Sequence, residues 1–460
     1  MSDITSAAPI SVYLVPGRHA HLVGIGGVSM CALGQVLHGM GMIVTGSDQQ
    51  RSETTDRLER GGISVAIGHD PANIAGADLV IRTAAVHDDN PEIAAARAAG
   101  IPVFERAQSW GELMKKYPNA VCVAGTHGKT TTSSMVTHIF LEAGCDPTVM
   151  IGGYLPALGA GHRVGKGDTI IMESCEYCNS FLNFYPTVAV ILNIEADHLD
   201  FFKDLEDIKR SFRAFAELTP ADRGIVIVCG DDRNAMEAVA GLPRRMLTFG
   251  LHEGCDVTAA NFQRGWSSFD VVIRGELYCH LDLPLVGRHN CTNALAAAAS
   301  AWVLGLPGEA VARGLAGFTG AGRRMEYKGT CNGAAVYDDY AHHPGELHAL
   351  LTSIREKAPG KRVVAAFQPH TYSRTKALFD DFVRELQLAD RVLLTEIYAA
   401  REKNTLNLSA ASLVERIEGA EFCPTLDDLA ARLKEIVTAD DVVRTIGAGS
   451  ISQVSNMILD

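Results

Sequence analysis

A glycine-rich loop between an apolar run and a hydroxyl-rich segment is the feature that most constrains the fold. Residues 120–124 are apolar, and residues 125–131 read Gly-Thr-His-Gly-Lys-Thr-Thr. A buried strand that turns through glycines into a helix brings backbone N–H groups and the helix N-terminus onto a phosphate. The segment departs from GxxxxGK[ST] because only two residues separate its glycines. We therefore predict a strand, a phosphate-binding loop and a helix that begins near Thr132.

Within this loop, Lys129 is predicted to neutralise the β- and γ-phosphates of a nucleotide, and Thr130 to ligate Mg²⁺. The competing interpretation is an ordinary glycine turn with an incidental lysine. The strand, turn, lysine and hydroxyl together favour the phosphate site. The candidate nucleotide-binding residues are Gly125, Thr126, His127, Gly128, Lys129, Thr130 and Thr131.

Short β-branched runs alternate with helix-length, Ala/Leu-rich segments along the whole chain, which is typical of βαβ units and predicts the α/β class. Two helices are predicted at residues 28–38 and 293–304. Strands are predicted at residues 21–25, 42–45, 79–83, 120–124, 169–172, 188–192, 224–228, 361–366, 391–394 and 442–446.

The length of 460 residues predicts about three domains. A break at Tyr117-Pro118-Asn119 separates a first domain from a second, and the Gly-rich residues 314–322 predict a hinge before the third. The expected domains are residues 1–117, 118–322 and 323–460.

Charge and composition exclude several classes of protein. A net charge of −13 and no run of basic residues argue against a nucleic-acid partner. No apolar stretch approaches the roughly 20 residues that cross a bilayer, so we expect no membrane insertion and a cytoplasmic protein. We also expect the protein to be a monomer or a weak homodimer. The eleven cysteines are scattered, which predicts no structural disulfides. Cys175 and Cys178 form one CxxC, interpreted as two buried thiols with a metal or redox site as the alternative.

Acidic side chains follow two of the predicted strands at their carboxyl ends, where α/β sheets bind ligands. Mg²⁺ prefers such hard oxygen ligands. A histidine among them would bind a second ion or orient a ligand, while the alternative is a solvated Asp-His loop. The candidates are Glu173 and Glu176 after one strand, and Glu195, Asp197, His198 and Asp200 after the other.

The segment Gly24-Ile25-Gly26-Gly27 follows the first predicted strand and is similar to a dinucleotide-binding fingerprint, with Asp48 near the end of the second strand. Ser29 stands at the third glycine position, so a diphosphate ligand other than NAD is at least as well supported. Asp48 is alternatively a helix cap.

Two further clusters carry amides and cations. An Ala-rich helix is predicted to start at the residues His289, Asn290 and Asn293. One interpretation is that the amides bond an adenine edge, and the alternative is that Asn290 caps the helix. Arg323 and Arg324 follow the Gly-rich passage. One interpretation is that they bind a transferring phosphoryl group, and the alternative is a solvated surface pair.

The third domain concentrates titratable groups in residues 338–344, Asp-Asp-Tyr-Ala-His-His-Pro, and in residues 367–375, Phe-Gln-Pro-His-Thr-Tyr-Ser-Arg-Thr. Arg374 suits a substrate carboxylate. An amine nucleophile suits Asp338, Asp339 or a neutral histidine.

Together these segments resemble the Mur ligase family over nearly the whole chain. Residues 125–131 match its GTxGKTT loop and residues 193–198 its NxxxDH element. Within the family, the resemblance is to the branch that adds L-alanine, through residues 24–27, 46–48, 287–290, 323–324, 338–344 and 367–375. The chain departs from the commoner pattern at Cys175, where many relatives carry an acid, and at Thr371, where some carry arginine.

The resemblance implies a Rossmann-like first domain for the UDP group, a P-loop ATPase-like central domain with a parallel or mixed sheet, and a Rossmann-like third domain that completes the amino-acid site. It implies ATP and Mg²⁺ as cofactors. The implied activity is a peptidoglycan-precursor ligase that joins L-alanine to the lactyl carboxylate of UDP-N-acetylmuramate through an acyl phosphate.

Residue roles follow by the same resemblance. The catalytic set is Lys129, His198, Arg324, His342 and Arg374, and the metal set is Thr130, Glu173 and His198. His289, Asn290, Asn293, Arg324 and Asp339 join the loop in binding ATP. The substrate-binding set is Gly24, Gly26, Gly27, Ser47, Asp48, His69, Thr83, Tyr340, His342 and Arg374.

Three other functions are considered. A ligase that joins a preformed peptide to the same nucleotide sugar during wall recycling shares most of the motifs. An NAD-dependent oxidoreductase leaves the phosphate loop unexplained, and a non-catalytic nucleotide-binding regulator predicts that Lys129→Ala spares function.

Overall fold

The computed structural model describes residues 8–83, 86–199, 201–400 and 402–460 and confirms the α/β class. Asp200 lies outside the described residues. Contacts divide the chain into two compact units. Unit 1 takes in Met1–Ile194, Lys209–Val257 and Ala296–Gly314, and unit 2 takes in Glu195–Ile208, Thr258–Leu295 and Leu315–Asp460.

The first sheet of unit 1 has five parallel strands in the order β3-β2-β1-β4-β5, which is the Rossmann order predicted for the N-terminal domain. Its elements are β1 His19–Val23, α1 Val28–Gly39, β2 Ile43–Asp48, α2 Glu53–Arg60, β3 Ser64–Ile67, β4 Leu79–Arg82, α3 Pro91–Ala98, β5 Val103–Glu105 and α4 Arg106–Met114.

The second sheet of unit 1 runs β12-β11-β10-β6-β9-β7-β8, and only the β7–β8 pair is antiparallel, so the predicted mixed sheet is confirmed. β6, β9 and β10 are neighbours, so their carboxyl ends meet at one edge. The elements are β6 Asn119–Ala124, α5 Lys129–Glu142, β7 Thr148–Leu155, β8 Ala160–Arg163, β9 Thr169–Glu173, β10 Val188–Ile191, α6 Leu205–Glu217, β11 Ile225–Cys229, α7 Arg233–Val239 and β12 Met246–Phe249.

A hairpin and two helices follow along the chain. β14 and β15 pair antiparallel, with a bulge between Val271 and Val272. The alanines of the long helix α8 are small enough to be buried at almost every position, from Ala294 to Ala301. The elements are β13 Val257–Ala260, β14 Ser268–Ile273, β15 Glu276–Asp282, α8 Arg288–Val303 and α9 Gly308–Ala316.

The six-stranded sheet of unit 2 runs β16-β17-β21-β18-β19-β20, and only β16 is antiparallel to its neighbour. Alternate residues of β18 enter opposite cores, with Val363 and Phe367 on one face and Val364 on the other, as a strand covered on both faces requires. The elements are β16 Glu326–Cys331, β17 Ala334–Asp339, α10 Pro344–Lys357, β18 Arg362–Phe367, α11 Tyr372–Ala377, α12 Phe379–Leu386, β19 Arg391–Leu394, α13 Ala411–Val414, β20 Glu421–Phe422, α14 Leu426–Ile436, β21 Asp441–Ile446 and α15 Ser452–Met457.

The predicted strands are all present, with ends shifted by at most three residues, but two helix starts were wrong. The helix expected near Thr132 begins at Lys129, and the helix expected at Asn293 begins at Arg288. In both cases a glycine with positive φ (Gly128 at +83°, Gly287 at +100°) ends the preceding loop and lets the helix start earlier than its apolar residues indicate.

The Gly-rich passage at residues 314–322 is only partly the loop that a hinge prediction requires. Gly314 lies inside α9, and a Cβ there would come within 2.8 Å of Ile139 Cα. This glycine therefore serves close helix packing, whereas Gly320 (φ +112°) does occupy a backbone conformation that favours glycine.

Among the described residues, none of the helices has both the length and the apolar character needed to cross a bilayer.

Candidate active site

The loop between β6 and α5 takes up the conformation that its glycines predict. Gly128 is the N-cap residue of α5 and has φ +83°. Gly125 has φ +150°, and a Cβ there would lie 2.9 Å from the Cβ of Leu192, the residue that follows β10. The first residue of α5 is Lys129, so the helix N-terminus opens directly from the loop.

Asn193 holds this loop in place. Its backbone carbonyl accepts from Thr126 N (3.0 Å) and its side-chain Oδ1 accepts from His127 N (2.7 Å). Its Nδ2 donates to His127 O (3.1 Å). The sequence analysis used Asn193 only as part of a motif, so this positioning role was missed.

Lys129 is bound by the loop itself and by one carboxylate. Its ammonium donates to Gly125 O (2.5 Å), to Thr126 O (3.0 Å) and to both carboxylate oxygens of Glu176 (3.0 and 3.1 Å). Burial opposes the charge on Lys129, but Glu176 and Glu173 outweigh it and hold the pKa of the lysine above its ordinary value. Lys129 is therefore a fixed positive charge at the helix N-terminus.

Two glycines of β7 bring Thr130 and Glu173 to the same edge. Gly152 N donates to Glu173 Oε2 (2.7 Å), and a Cβ at Gly152 would lie 2.5 Å from Glu173 Oε1. A Cβ at Gly153 would lie 3.1 Å from Thr130 Cγ2. The Thr130 hydroxyl and the Glu173 carboxylate are oxygen donors of the kind that suits Mg²⁺, and Gly152 and Gly153 leave room for the two side chains.

The two candidate glutamates are thereby distinguished. Glu176 is 4% exposed and is paired with Lys129, whereas Glu173 is half-buried and faces the β7 glycines. This arrangement favours Glu173 as the metal ligand. His198, the third predicted ligand, belongs to unit 2, so its share in this ion stays a prediction.

The cysteines are free of disulfides, as expected. Cys175 is partly buried beside Lys129, and burial raises the pKa of its thiol to about 11. Cys178 is exposed, so the interpretation of both CxxC residues as buried thiols was wrong. Cys178 leaves the core because it lies in a left-handed kink, with φ +54°.

The glycines after β1 meet the end of β2. Gly26 N donates to Asp48 Oδ2 (2.9 Å), and Gly24 has φ +82° with Thr83 Cγ2 3.0 Å from a Cβ built on it. Gly27 is the N-cap residue of α1. Because α2 begins after the side-chain cap Ser52, the alternative that Asp48 caps a helix was wrong.

Ser47 and His69 converge on a carboxylate that the sequence analysis did not single out. Ser47 Oγ donates to Glu92 Oε2 (2.6 Å), His69 Nδ1 lies 3.1 Å from the same oxygen, and Asn73 Nδ2 donates to Oε1. Burial of Glu92 raises its pKa, but bonds from His21, Ser47 and Asn73 outweigh this and lower it to about 2. Ser47 is itself fully buried, so its direct contact with a substrate stays a prediction.

In unit 2, Arg374 of α11 is paired with Asp197. Its Nη2 donates to Asp197 Oδ1 (3.0 Å), and its Nη1 lies 3.3 Å from His370 Nδ1. Burial opposes ionisation of Asp197, but the charges of His198 and Arg374 hold its pKa well below its ordinary value. His198 has φ +53° and its Nε2 lies 3.7 Å from Asp197 Oδ2.

His342 is a neutral imidazole of defined tautomer. Its Nδ1 lies 3.0 Å from Tyr340 O, which can only accept, so Nδ1 carries the proton and Nε2 the lone pair. Burial lowers the pKa of His342 to about 4, although Glu346 acts in the opposite direction. The ring contacts those of Tyr340 and His370, with centroids 5.4 and 5.7 Å apart.

The two adjacent arginines are not equivalent. Arg323 donates to Asp338 Oδ2 (2.8 Å) and to Gly447 O (2.6 Å), so the alternative of a solvated surface pair was wrong for this residue. Arg324 lies over the Tyr340 ring, 5.2 Å from its centroid, and its Nη1 lies 3.8 Å from Glu346 Oε1.

Asp339 is buried at the end of β17. Its two oxygens accept from Met325 N (2.7 Å) and Ala341 N (2.9 Å), and burial raises the pKa of its carboxyl. These bonds fix the backbone at Met325, next to Arg324, and at Ala341, next to Tyr340. Contact of Asp339 with a nucleotide stays a prediction.

The amide cluster lies at the start of α8, and its contact with an adenine edge stays a prediction. Asn290 and Asn293 are buried, and burial lowers the pKa of His289 to about 4. Asn290 Nδ2 donates to Val286 O (2.8 Å) from within the helix, so simple N-capping by Asn290 was wrong.

Comparison with known proteins decides the family. The descriptions "Mur ligase family, catalytic domain", "Mur ligase middle domain" and "Mur ligase, glutamate ligase domain" match residues 19–118, 123–301 and 323–449 in succession. A UDP-N-acetylmuramate–L-alanine ligase of Caldanaerobacter subterraneus subsp. tengcongensis is 45% identical over 450 residues, which cover 96% of this chain and 97% of the relative. The chain belongs to the Mur ligase family.

Solved structures of Mur ligases have the same fold. The UDP-N-acetylmuramate-alanine ligase of Thermotoga maritima superposes with a TM-score of 0.80 at 29% identity, covering 96% of this chain and 98% of the other. A murein peptide ligase of Psychrobacter arcticus gives a TM-score of 0.73 at 24% identity, with the same coverage, and this likeness shows the fold alone.

Proposed function

We propose that this Mur ligase joins L-alanine to the lactyl carboxylate of UDP-N-acetylmuramate, using ATP and Mg²⁺, in the cytoplasmic synthesis of peptidoglycan precursors. The observation that carries the proposal is the phosphate loop, in which Lys129 stands at the N-terminus of α5 between loop carbonyls and Glu176. Curated L-alanine ligases that are 45% identical over nearly the whole chain support the choice of substrates.

The chemistry needs two steps because a carboxylate is a poor electrophile. A lactyl carboxylate oxygen attacks the γ-phosphorus of ATP, the bond to the β-phosphate oxygen breaks, and ADP leaves. The amine of L-alanine then attacks the carbonyl carbon of the acyl phosphate, and inorganic phosphate leaves as the amide forms. Each turnover consumes one ATP and releases one ADP and one phosphate.

The loop residues would stabilise the first step. Lys129 and the N–H groups at the start of α5 offset the negative charge on the transferring phosphoryl group. Thr130 and Glu173 would hold Mg²⁺, which supplies charge neutralisation on the β- and γ-phosphates when bound. Asn193 keeps the loop in the required conformation.

Residues of unit 2 suit the amino acid. Arg374 is a fixed guanidinium beside Asp197, and we assign it to a substrate carboxylate. The His342 lone pair on Nε2 is available at neutral pH because the pKa of the ring is about 4, so we assign it to accept a proton from the attacking amine.

The test is ATP-dependent phosphate release by the purified chain with UDP-N-acetylmuramate and either L-alanine or an L-alanyl tripeptide. Release that requires both co-substrates and prefers L-alanine supports the proposal. Preference for the tripeptide would establish the recycling ligase, and equal release without either co-substrate would contradict a coupled ligase. Lys129→Ala should abolish release in the ligase, whereas a non-catalytic regulator has no such activity to lose.

A further inference from the structure

A Cys-His-Asp cluster lies in unit 1 and includes none of the residues assigned to ligation. Asp231 follows β11, and His252 and Cys255 lie in the loop between β12 and β13. Because β11 and β12 are parallel neighbours, both loops leave the sheet at the same edge. One ligand atom from each side chain lies within 4.8 Å of the other two.

The cluster is held in a fixed arrangement. Asp231 Oδ1 lies 2.7 Å from His252 Nδ1, and its two oxygens also accept from Leu251 N (2.7 Å) and His252 N (3.2 Å). The Cys255 sulfur lies 3.3 Å from His252 Nδ1 and 3.7 Å from Nε2. A Cβ at Gly250 would come within 2.9 Å of both the Asp231 carboxylate and the sulfur, so only a glycine leaves room for the two side chains to meet.

The geometry points to a site for a divalent transition metal of the Zn²⁺ class, and we propose that Asp231, His252 and Cys255 are its three protein ligands, with a fourth position open to solvent. Tetrahedral zinc with ordinary bond lengths separates a nitrogen and a sulfur ligand by roughly 3.5 Å and a nitrogen and an oxygen by roughly 3.4 Å. Only one ring nitrogen can bind the ion, so the distances that matter are those to His252 Nδ1. The sulfur at 3.3 Å is close to the first value, and the Asp231 oxygen at 2.7 Å must move away by about 0.7 Å.

The exposure of the ligands fits an open site. The His252 side chain is 53% exposed and that of Asp231 22%, whereas Cys255 is buried at the floor of the cluster. Binding forms a metal–sulfur bond and releases the thiol proton to solvent. The bound ion would join the two loops, and its sulfur ligand separates it chemically from the predicted magnesium site.

A catalytic Cys-His-Asp arrangement is less well supported by the same contacts. In such a triad the acid orients one ring nitrogen and the thiol gives its proton to the other. Here the closest approach of both Asp231 and Cys255 is to Nδ1 of His252, which is the crowding that a shared metal would relieve.

The test titrates Co²⁺ into the full chain after treatment with a chelator and dialysis, without nucleotide. We expect one equivalent to bind with a sulfur-to-cobalt charge-transfer band and the visible absorption of tetrahedral cobalt, and we expect Zn²⁺ to displace it. Cys255→Ser should abolish the band, and His252→Ala should weaken binding at least about tenfold. Cys145→Ser, which changes a thiol outside the cluster, should leave the band intact.

Thr130, Glu173 and His198, the ligands predicted for the magnesium site, contain no sulfur, so Co²⁺ bound there gives no sulfur band and does not imitate the expected signal. His252 is largely exposed, so its alanine variant should fold even if Cys255→Ser does not, and Zn²⁺ should raise the melting temperature of the wild type but not of this variant. The proposal is overturned if no sulfur band forms, if the band persists in a folded Cys255→Ser chain, or if Cys145→Ser removes it.

Discussion

Replacing Asn193 with alanine should weaken nucleotide binding, although no contact between Asn193 and the nucleotide is assigned. The substitution removes two hydrogen bonds from the phosphate loop, His127 N to Oδ1 (2.7 Å) and Nδ2 to His127 O (3.1 Å). Each contributes about 1 kcal/mol, so the competent loop conformation should lose about 2 kcal/mol relative to its alternatives. If the altered loop seldom reaches that conformation, ADP affinity should fall by up to about 30-fold.

The measurement is isothermal titration of ADP with Mg²⁺ into wild type and variant, beside thermal melts of both. Asn234→Ala is the matched control, because Asn234 donates a similar bond to Ile194 O (2.8 Å), one residue beyond Asn193. The control should lower the melting temperature and keep its ADP affinity. An Asn193→Ala affinity within twofold of wild type, or equal weakening in the control, would refute the reasoning.

Three further outcomes are expected. Glu173→Ala should raise the Mg²⁺ concentration needed for half-maximal phosphate release at least about tenfold, and an unchanged requirement would remove Glu173 from the metal site. Because the pKa of His342 is about 4, protonation of this ring should not lower the wild-type kcat until the pH falls toward 4. Above that pH, His342→Gln should lower kcat and leave the KM for ATP unchanged. Folding lowers the pKa of Glu92 from 4.5 to about 2, which corresponds to a stabilisation of about 3 kcal/mol. This stabilisation is complete above pH 4.5 and lost as pH falls toward 2, so the deficit of Glu92→Gln in denaturant melts should shrink over that range.

The sequence predicted the strands that are buried on both faces, because these are continuous apolar runs. Residues 120–124 and 188–192 are examples, and their flanking motifs located the phosphate loop and the acidic residues beside it. Shorter or more polar strands were missed. β20 has only two residues, which is too few to show a period. β17 has four apolar residues before Asp338 and Asp339, so its apolar run is short.

The site was predictable wherever a local motif carried the chemistry and not where a partner came from elsewhere in the fold. Lys129 and Thr130 were predicted from the loop motif, and the structure places both at the start of α5. The carboxylate that pairs with Lys129 could not be separated from Glu173 without the β7 glycines. Glu92 looks like an ordinary acid in the first turn of α3 until the fold places His21, Ser47 and Asn73 around it. Helix starts were misplaced because loop glycines with positive φ, rather than apolar periodicity, set them.

The most direct test of the proposed chemistry follows oxygen atoms from the acid to the phosphate. UDP-N-acetylmuramate labelled with ¹⁸O in its lactyl carboxylate is turned over with ATP, Mg²⁺ and L-alanine, and the released phosphate is analysed by mass spectrometry. Transfer of one labelled oxygen into each phosphate is the predicted result, since the attacking carboxylate oxygen leaves with the phosphoryl group. Unlabelled phosphate accompanied by amide formation would contradict an acyl-phosphate intermediate.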